Sequence, residues 1–262
     1  MEQSEKQRDF RCLSAAVLKW TAILTMLIDH VGAAVLAGLA KKHQGWGVGV
    51  FSRDFYYATR VIGRIAFPIF CFLLIEGLFH TRSRWKYLFR LGLFAVISEI
   101  PFDLAFHGKW WDYAGGQNVF FTLLIGLAAC ATWEWLTNGN DPNCHPQFGL
   151  AAMLFAIGTV VTAEWLDTDY GGLGVLLILV MYLLRERPFA RDLLSFGVLY
   201  LMFRISGSHW IEVFGALSFP LFHLYNGQRG RQNKYFFYIF YPAHLLLLAG
   251  ILALMIRFRA GL

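Results

Sequence analysis

Charged residues are scarce in this chain: Asp, Glu, Lys and Arg make up 15% of its 262 residues, where soluble globular domains carry about 25%. That shortage excludes an ordinary water-soluble globule, which needs a charged exterior. Paired cysteines are lacking too. Cys12, Cys71, Cys130 and Cys144 show no C-x-x-C spacing, and Cys71 and Cys130 fall inside apolar runs. Neither a metal site nor a disulfide framework is expected. No stretch reads as a P-loop, a dinucleotide fingerprint, a zinc motif or a nucleophile elbow. No internal repeat of the kind found in many transporters is present, which counts against a transporter.

What the chain has in abundance is apolar length. It is 57% hydrophobic with a mean hydropathy of +0.50, and runs of about 18 or more apolar residues recur throughout. The fold class is therefore all-α, a polytopic bundle embedded in a lipid bilayer. About nine spans are expected, with eight to ten possible, starting near Ala16, Arg60, Tyr87, Val119, Phe148, Gly172, Asp192, Trp210 and Tyr235. The sixth and seventh are short and glycine-bearing, and one of them is a candidate re-entrant segment. Residues 1–262 read as one transmembrane domain in which 1–15 form a polar tail. The first apolar run is too long for the core of a cleaved signal, so a retained anchor is expected.

The net charge of +6 and pI near 9.2 do not point to nucleic acid, because the basic residues form short clusters rather than a continuous face. Lys6, Arg8 and Arg11 precede the first span, and Arg82, Arg84 and Lys86 follow the second. Arg185, Arg187 and Arg191 follow the sixth, and Arg229, Arg231 and Lys234 the eighth. With nine spans all four clusters share one side, which the positive-inside rule makes cytoplasmic, the N-terminus included. The opposite loops, "WWDYAGGQN" and "DTDYGG", are poor in Lys and Arg.

Against this background Asp29 and His30, in "TAILTMLIDHVGAAV", stand out. An ionisable side chain at mid-helix costs about 2.5–3.5 kcal/mol on insertion scales, so such groups usually mark a path or a reaction. Thr21, Thr25 and Asp29 share one stripe, while His30 is turned from it by about 100 degrees. Histidine suits general-base work near neutral pH; the plainer alternative is a polar pair that bonds neighbouring helices. Other polar groups gather at similar depth: Arg60 and Arg64 on the second span, Glu99 and Asp103 flanking Pro101 on the third, Gln117 and Asn118 opening the fourth, Asp169 and Tyr170 opening the sixth. Arg64 is expected to pair with Glu99 or Asp103, as a structural ion pair or a substrate contact. On the basic side, "EGLFHTRSRWKYLFRL" from Glu76 and "YNGQRGRQNK" from Tyr225 mix guanidinium groups with glycine and aromatics, a composition that suits phosphate. His244, in "YPAH", is a candidate partner for His30.

The ordered blocks "LKWTAILTMLIDHVG", "IGRIAFPIFCFLLIEGLFHTRSRWKYLFRL", "SEIPFDLAF", "QNVFFTLLIGL", "DYGGLGVLLI" and "YNGQRGRQNKYFFYIFYPAHLLLL" closely resemble the TraX family. The resemblance runs from about Leu18 to Leu248. It implies transfer of an acetyl group from acetyl-CoA to the N-terminal amine of pilin, in the bacterial inner membrane. It makes His30 the reactive histidine and Asp29 the neighbour that tunes it. His30 then deprotonates the amine, or takes the acetyl group itself in a two-step route. The donor's phosphates fall to Arg82, Arg84, Lys86, Arg90, Arg229, Arg231 and Lys234, with Tyr225 and Asn226 beside them. Arg64, Tyr225 or Asn226 would polarise the thioester carbonyl, and Glu76, Glu99, Asp103, Gln117, Asn118 and His244 complete a supporting or acceptor-side polar network. A sugar or lipid acceptor, a small-solute transporter with an Asp–His relay, and a structural partner of a secretion apparatus remain open.

Overall fold

The computed structural model describes residues 10–42, 45–47, 51–137, 146–205, 210–231 and 234–260, apart from the side chains of 146–148, 234, 259 and 260. Among them, helices account for almost all regular structure, and two isolated β-bridges, Leu13 with Tyr225 and Gln117 with Thr168, are the extended pairings. In chain order α1 is Ala15–His30, continued by a π-helical turn Val31–Leu36 and α2 Ala37–Lys42; α3 is Arg53–Gly63 and α4 Ala66–His80. Next come α5 Arg84–Phe106, α6 Val119–Thr137, α7 Pro146–Trp165, α8 Gly171–Leu183 and α9 Pro188–Ile205. A 3-10 stretch Trp210–Ser218 runs into the short α10 Phe219–His223, and α11 Lys234–Ala260 closes the chain.

Four helical segments are long and apolar enough to cross a membrane: Ala15–Lys42, Arg53–His80, Val119–Thr137 and Tyr235–Phe258. The outer surface agrees with that solvent. Leu24, Val96, Leu154, Val161, Leu193, Leu247 and Leu254 are all exposed, which in water would be an aggregation liability.

Most segments begin within a few residues of the expected starts, with two corrections. The second begins at Arg53 rather than near Arg60, because Ser52 caps it by accepting a hydrogen bond from the Phe55 N–H at 3.2 Å. The eighth does begin at Trp210, but its first nine residues wind as a 3-10 helix rather than an α-helix. The short sixth segment, α8, has 13 residues, about 20 Å at 1.5 Å per residue against a hydrocarbon core of about 30 Å.

The ends of the bundle differ in character. The Ala15 and Ala16 N–H groups donate to the carbonyls of Gln228 and Arg229 at 2.9 and 3.1 Å, which ties the start of α1 to the loop before α11. Arg185 donates to Glu76 at 3.1 Å at that same end. The basic clusters after the second, sixth and eighth segments thus gather on the face where α1 begins. At the other end the Gln117 N–H donates to the Asp167 carbonyl and the Asp169 N–H to the Gln117 carbonyl, each at 2.8 Å.

Candidate active site and its cavity

Asp29 and His30 face different partners. Asp29 is buried, and its two oxygens take Arg60 Nη1 at 2.5 Å and Arg64 Nη2 at 2.9 Å. Arg64 Nη1 reaches Glu212 Oε1 at 2.8 Å, so the guanidinium joins α1 to the 3-10 stretch. The helices come close enough because Gly63 lacks a side chain: a Cβ there would overlap Asp29 itself. Arg64 sits at the two-residue break between α3 and α4, where the chain turns toward α1. The expected pairing of Arg64 with Glu99 or Asp103 is therefore replaced by Asp29 and Glu212, because α5 packs on the opposite flank, against α6 and α11. Two guanidiniums meet two carboxylates, a balanced set, as buried charge requires. A third carboxylate, Asp169, feels the same cluster from the turn between α7 and α8, and burial pushes it up to about 6 against the pull of Arg64 and Arg60. That turn holds two non-glycine residues with positive φ, Asp167 at 50° and Tyr170 at 66°. The Tyr170 ring stacks on Phe67 at 3.7 Å.

His30 turns toward α11. Its Nδ1 lies 2.7 Å from His244 Nε2, and the rings are 6° from parallel. Phe106 and Tyr241 meet the His30 ring edge-on, at 5.4 and 6.0 Å between centroids. The helix changes to π geometry immediately after His30, a distortion often found at functional sites. Asp29 thus does not contact the imidazole it precedes; His244 does. Thr21 and Thr25 bond back to carbonyls of their own helix at 3.1 and 2.9 Å and take no part in the pair.

A cavity of about 370 Å³ opens at the basic end and runs along α1 toward this pair. Its rim holds Lys19, Glu76, His80, Arg90, Tyr225 and Arg229; its neck is apolar, with Ile23, Leu73, Leu74, Leu91 and Leu123. It ends at Met26, Val119, Phe120 and Tyr241. Met26 is one helical turn before His30, and Tyr241 touches both the cavity and the His30 ring. Arg90 Nε is buried without a hydrogen-bond partner, and its guanidinium lies 5.7 Å from the Tyr87 ring. The Tyr225 hydroxyl is pushed up by burial and by Glu76, to which it is hydrogen-bonded.

The other expected residues fall elsewhere. Arg84 donates to Glu134 at 2.6 Å. Arg82, Lys86 and Arg231 are exposed and do not line this cavity, which turns to Arg90 on the inward face of α5 and to Arg229. The Lys234 side chain lies outside the described residues. Asn226 Oδ1 accepts from the Gln228 N–H at 2.9 Å, shaping its own loop rather than facing a thioester. Glu76 lies on the basic rim, the side on which its stretch was expected. Glu99 Oε2 accepts from the Asn118 side chain, and Asn118 Nδ2 also donates to the Ala95 carbonyl at 2.8 Å. Asp103 accepts from the Asp112 N–H at 2.7 Å and pairs with His107 at 3.2 Å. Gln117 Nε2 donates to the Tyr113 carbonyl at 3.3 Å. These groups shape the end opposite the cavity mouth.

Two residues went unread in the sequence. Glu212 sits in an apolar run, a signal as strong as that of Asp29. Lys19 stands in the first apolar run, where its charge alone marked it.

Fold and site together define a helical bundle suited to a bilayer, with an apolar pocket, a cationic rim and a paired imidazole beyond its inner end. The chain belongs to the TraX family: the family model described as TraX protein matches residues 14–252. It is also 31% identical to the probable fimbrial assembly protein FimC, serogroup H1, of Dichelobacter nodosus, across 90% of this chain and 95% of that protein. No solved structure matches the chain.

Proposed function

We propose that this protein is a multi-pass acetyltransferase of the bacterial inner membrane, moving an acetyl group from cytoplasmic acetyl-CoA to the N-terminal amine of pilin. The observation that carries this reading is the cavity: a cationic mouth, an apolar neck, and an inner end one helical turn from His30. Membership of the TraX family and the fimbrial assembly name of the relative support the pilus connection.

Acetyl-CoA matches the cavity in chemistry. Its phosphates meet Arg90, Arg229 and Lys19 at the mouth, and the pantetheine arm lies along Ile23, Leu73, Leu91 and Leu123. The thioester then reaches Met26, Phe120 and Tyr241. His30 removes a proton from the incoming ammonium, and the neutral amine attacks the acetyl carbonyl carbon. The carbon–sulfur bond of the adduct then breaks, and the new carbon–nitrogen bond is left as an amide once the nitrogen gives up its extra proton to the departing thiolate. Coenzyme A leaves as thiolate and takes up a proton. The Asp29–Arg60–Arg64–Glu212 cluster holds α1 against α3 and the 3-10 stretch and so fixes the turn that carries His30. In this orientation the basic end faces the cytoplasm.

The test is transfer by the purified protein in nanodiscs, with acetyl-CoA labelled in its acetyl group and a peptide bearing the pilin N-terminus. Mass spectrometry should find the peptide heavier by one acetyl group and coenzyme A released in equal amount. A labelled sugar or lipid with an unmodified peptide would replace the acceptor. No coenzyme A release with any acceptor, together with no binding of acetyl-CoA, would overturn the enzymatic reading.

A further inference from the structure

The hydrogen bonds around His244 determine where the protons sit on both imidazoles. His244 Nδ1 lies 2.8 Å from the carbonyl oxygen of Phe240, one turn earlier on α11. A carbonyl oxygen only accepts, so Nδ1 of His244 carries a hydrogen. A neutral imidazole has a single N–H, which leaves His244 Nε2 with a lone pair. The 2.7 Å contact with His30 Nδ1 therefore needs its hydrogen from His30. With that proton on Nδ1, Nε2 of His30 is bare.

Aromatic packing holds both rings in place. His30 is packed by Phe106 and Tyr241, and His244 lies against Phe240 with the rings 13° from parallel at 4.8 Å. No hydrogen bond reaches His30 Nε2 among the described residues. His30 keeps part of its surface accessible.

We infer that His244 is a positioning residue: it holds His30 in the Nδ1–H tautomer and so presents an unprotonated Nε2 to the acceptor's proton. The inference rests on the reading of His30 as the base. It assigns the orienting role to a residue 214 positions away rather than to Asp29, whose oxygens are taken by two arginines. In enzymes where a buried group sets the tautomer of a catalytic histidine, the wrong tautomer leaves geometry intact and the base absent.

The experiment is ¹⁵N NMR of the full chain in nanodiscs, labelled at histidine nitrogens, without substrate and at mildly alkaline pH. The His30 signals are assigned by their loss in His30→Ala. The expected spectrum has a protonated Nδ1 and a bare Nε2 on His30, and a proton on Nδ1 of His244. In His244→Leu, His30 should become a mixture of tautomers, and kcat should fall roughly 10- to 100-fold, as when an orienting partner of a functional imidazole is removed, with the KM for acetyl-CoA unchanged. His244→Gln, whose amide oxygen can accept from Nδ1–H, should restore the tautomer and most of kcat. A proton on His30 Nε2 in the wild type overturns the inference, as does a pure Nδ1–H tautomer with full kcat in His244→Leu. Should that variant fail to fold, the wild-type spectrum and His244→Gln decide. Because the spectrum is read on the resting protein, an absence of transfer would sink the proposed reaction without altering the tautomer result.

Discussion

Gly63 passes so close to Asp29 that a methyl group on it would overlap the aspartate side chain, and this approach brings Arg60 and Arg64 onto the two carboxylate oxygens. Gly63→Ala should push α3 from α1 and loosen both ion pairs. Overpacking of this kind costs about 1–3 kcal/mol, so a lower thermal midpoint in nanodiscs is expected. An unchanged midpoint would show that the helices separate without loss.

Asp29→Asn tests whether the buried carboxylate holds the bundle or works on the imidazole. It leaves Arg60 and Arg64 with Glu212 as the remaining carboxylate bonded to either of them among the described residues. Removing one partner of a buried pair costs about 3–5 kcal/mol. The variant should melt well below the wild type while the ¹⁵N signals of His30 keep their tautomer. A normal melt with a changed His30 spectrum would return the tuning role to Asp29.

His30→Ala should abolish acetyl transfer with little effect on the melt, since the ring's one hydrogen bond among the described residues is to His244. Full activity in this variant would end the catalytic assignment.

Arg90→Ala and Arg229→Ala should each raise the KM for acetyl-CoA about 10- to 100-fold, because a hydrogen bond to a charged group contributes about 1.5–3 kcal/mol. The double change of Arg82 and Arg84 to Ala should leave KM within about twofold, since neither lines the cavity. The reverse pattern, measured by coenzyme A release, would place the donor outside this pocket.

Phe120 closes the inner end of the cavity beside Tyr241, its ring edge-on at 4.9 Å. Phe120→Ala should let propionyl- and butyryl-CoA compete with acetyl-CoA, each added methylene gaining about 0.8 kcal/mol in the space opened. An unaltered chain-length profile would mean that the acyl group stops short of this wall.

Much of the architecture was legible because long-range tertiary forces act weakly on it. Apolar length decides which segments become helices in a bilayer, and the spacing of Arg185, Arg187, Arg191 and Arg229 along the chain already placed these groups on one face. The one misread start and the one misread helix type have local causes. Ser52 caps a polar helix that hydropathy alone does not see, and the run after Trp210 takes 3-10 geometry that its composition does not announce. The chemistry was legible as a set of residues and, apart from His30 with His244, not as a set of pairs. Asp29, His30, Arg64 and His244 were all marked by being polar within apolar surroundings.

The amino-acid order by itself determined the solvent, the helical class, the polarity of the two ends and the identity of the expensive buried groups, because each follows from transfer free energy summed along the chain. Only the packed bundle decided that Asp29 and His30 part company, that Arg90 rather than Arg84 lines the pocket, and that Asp29 and Glu212 rather than Glu99 or Asp103 take Arg64. Those choices depend on the rotation of each helix about its own axis. Glycine contacts, a break at Arg64 and a π-helical turn after His30 set that rotation, and none of them leaves a period in the sequence.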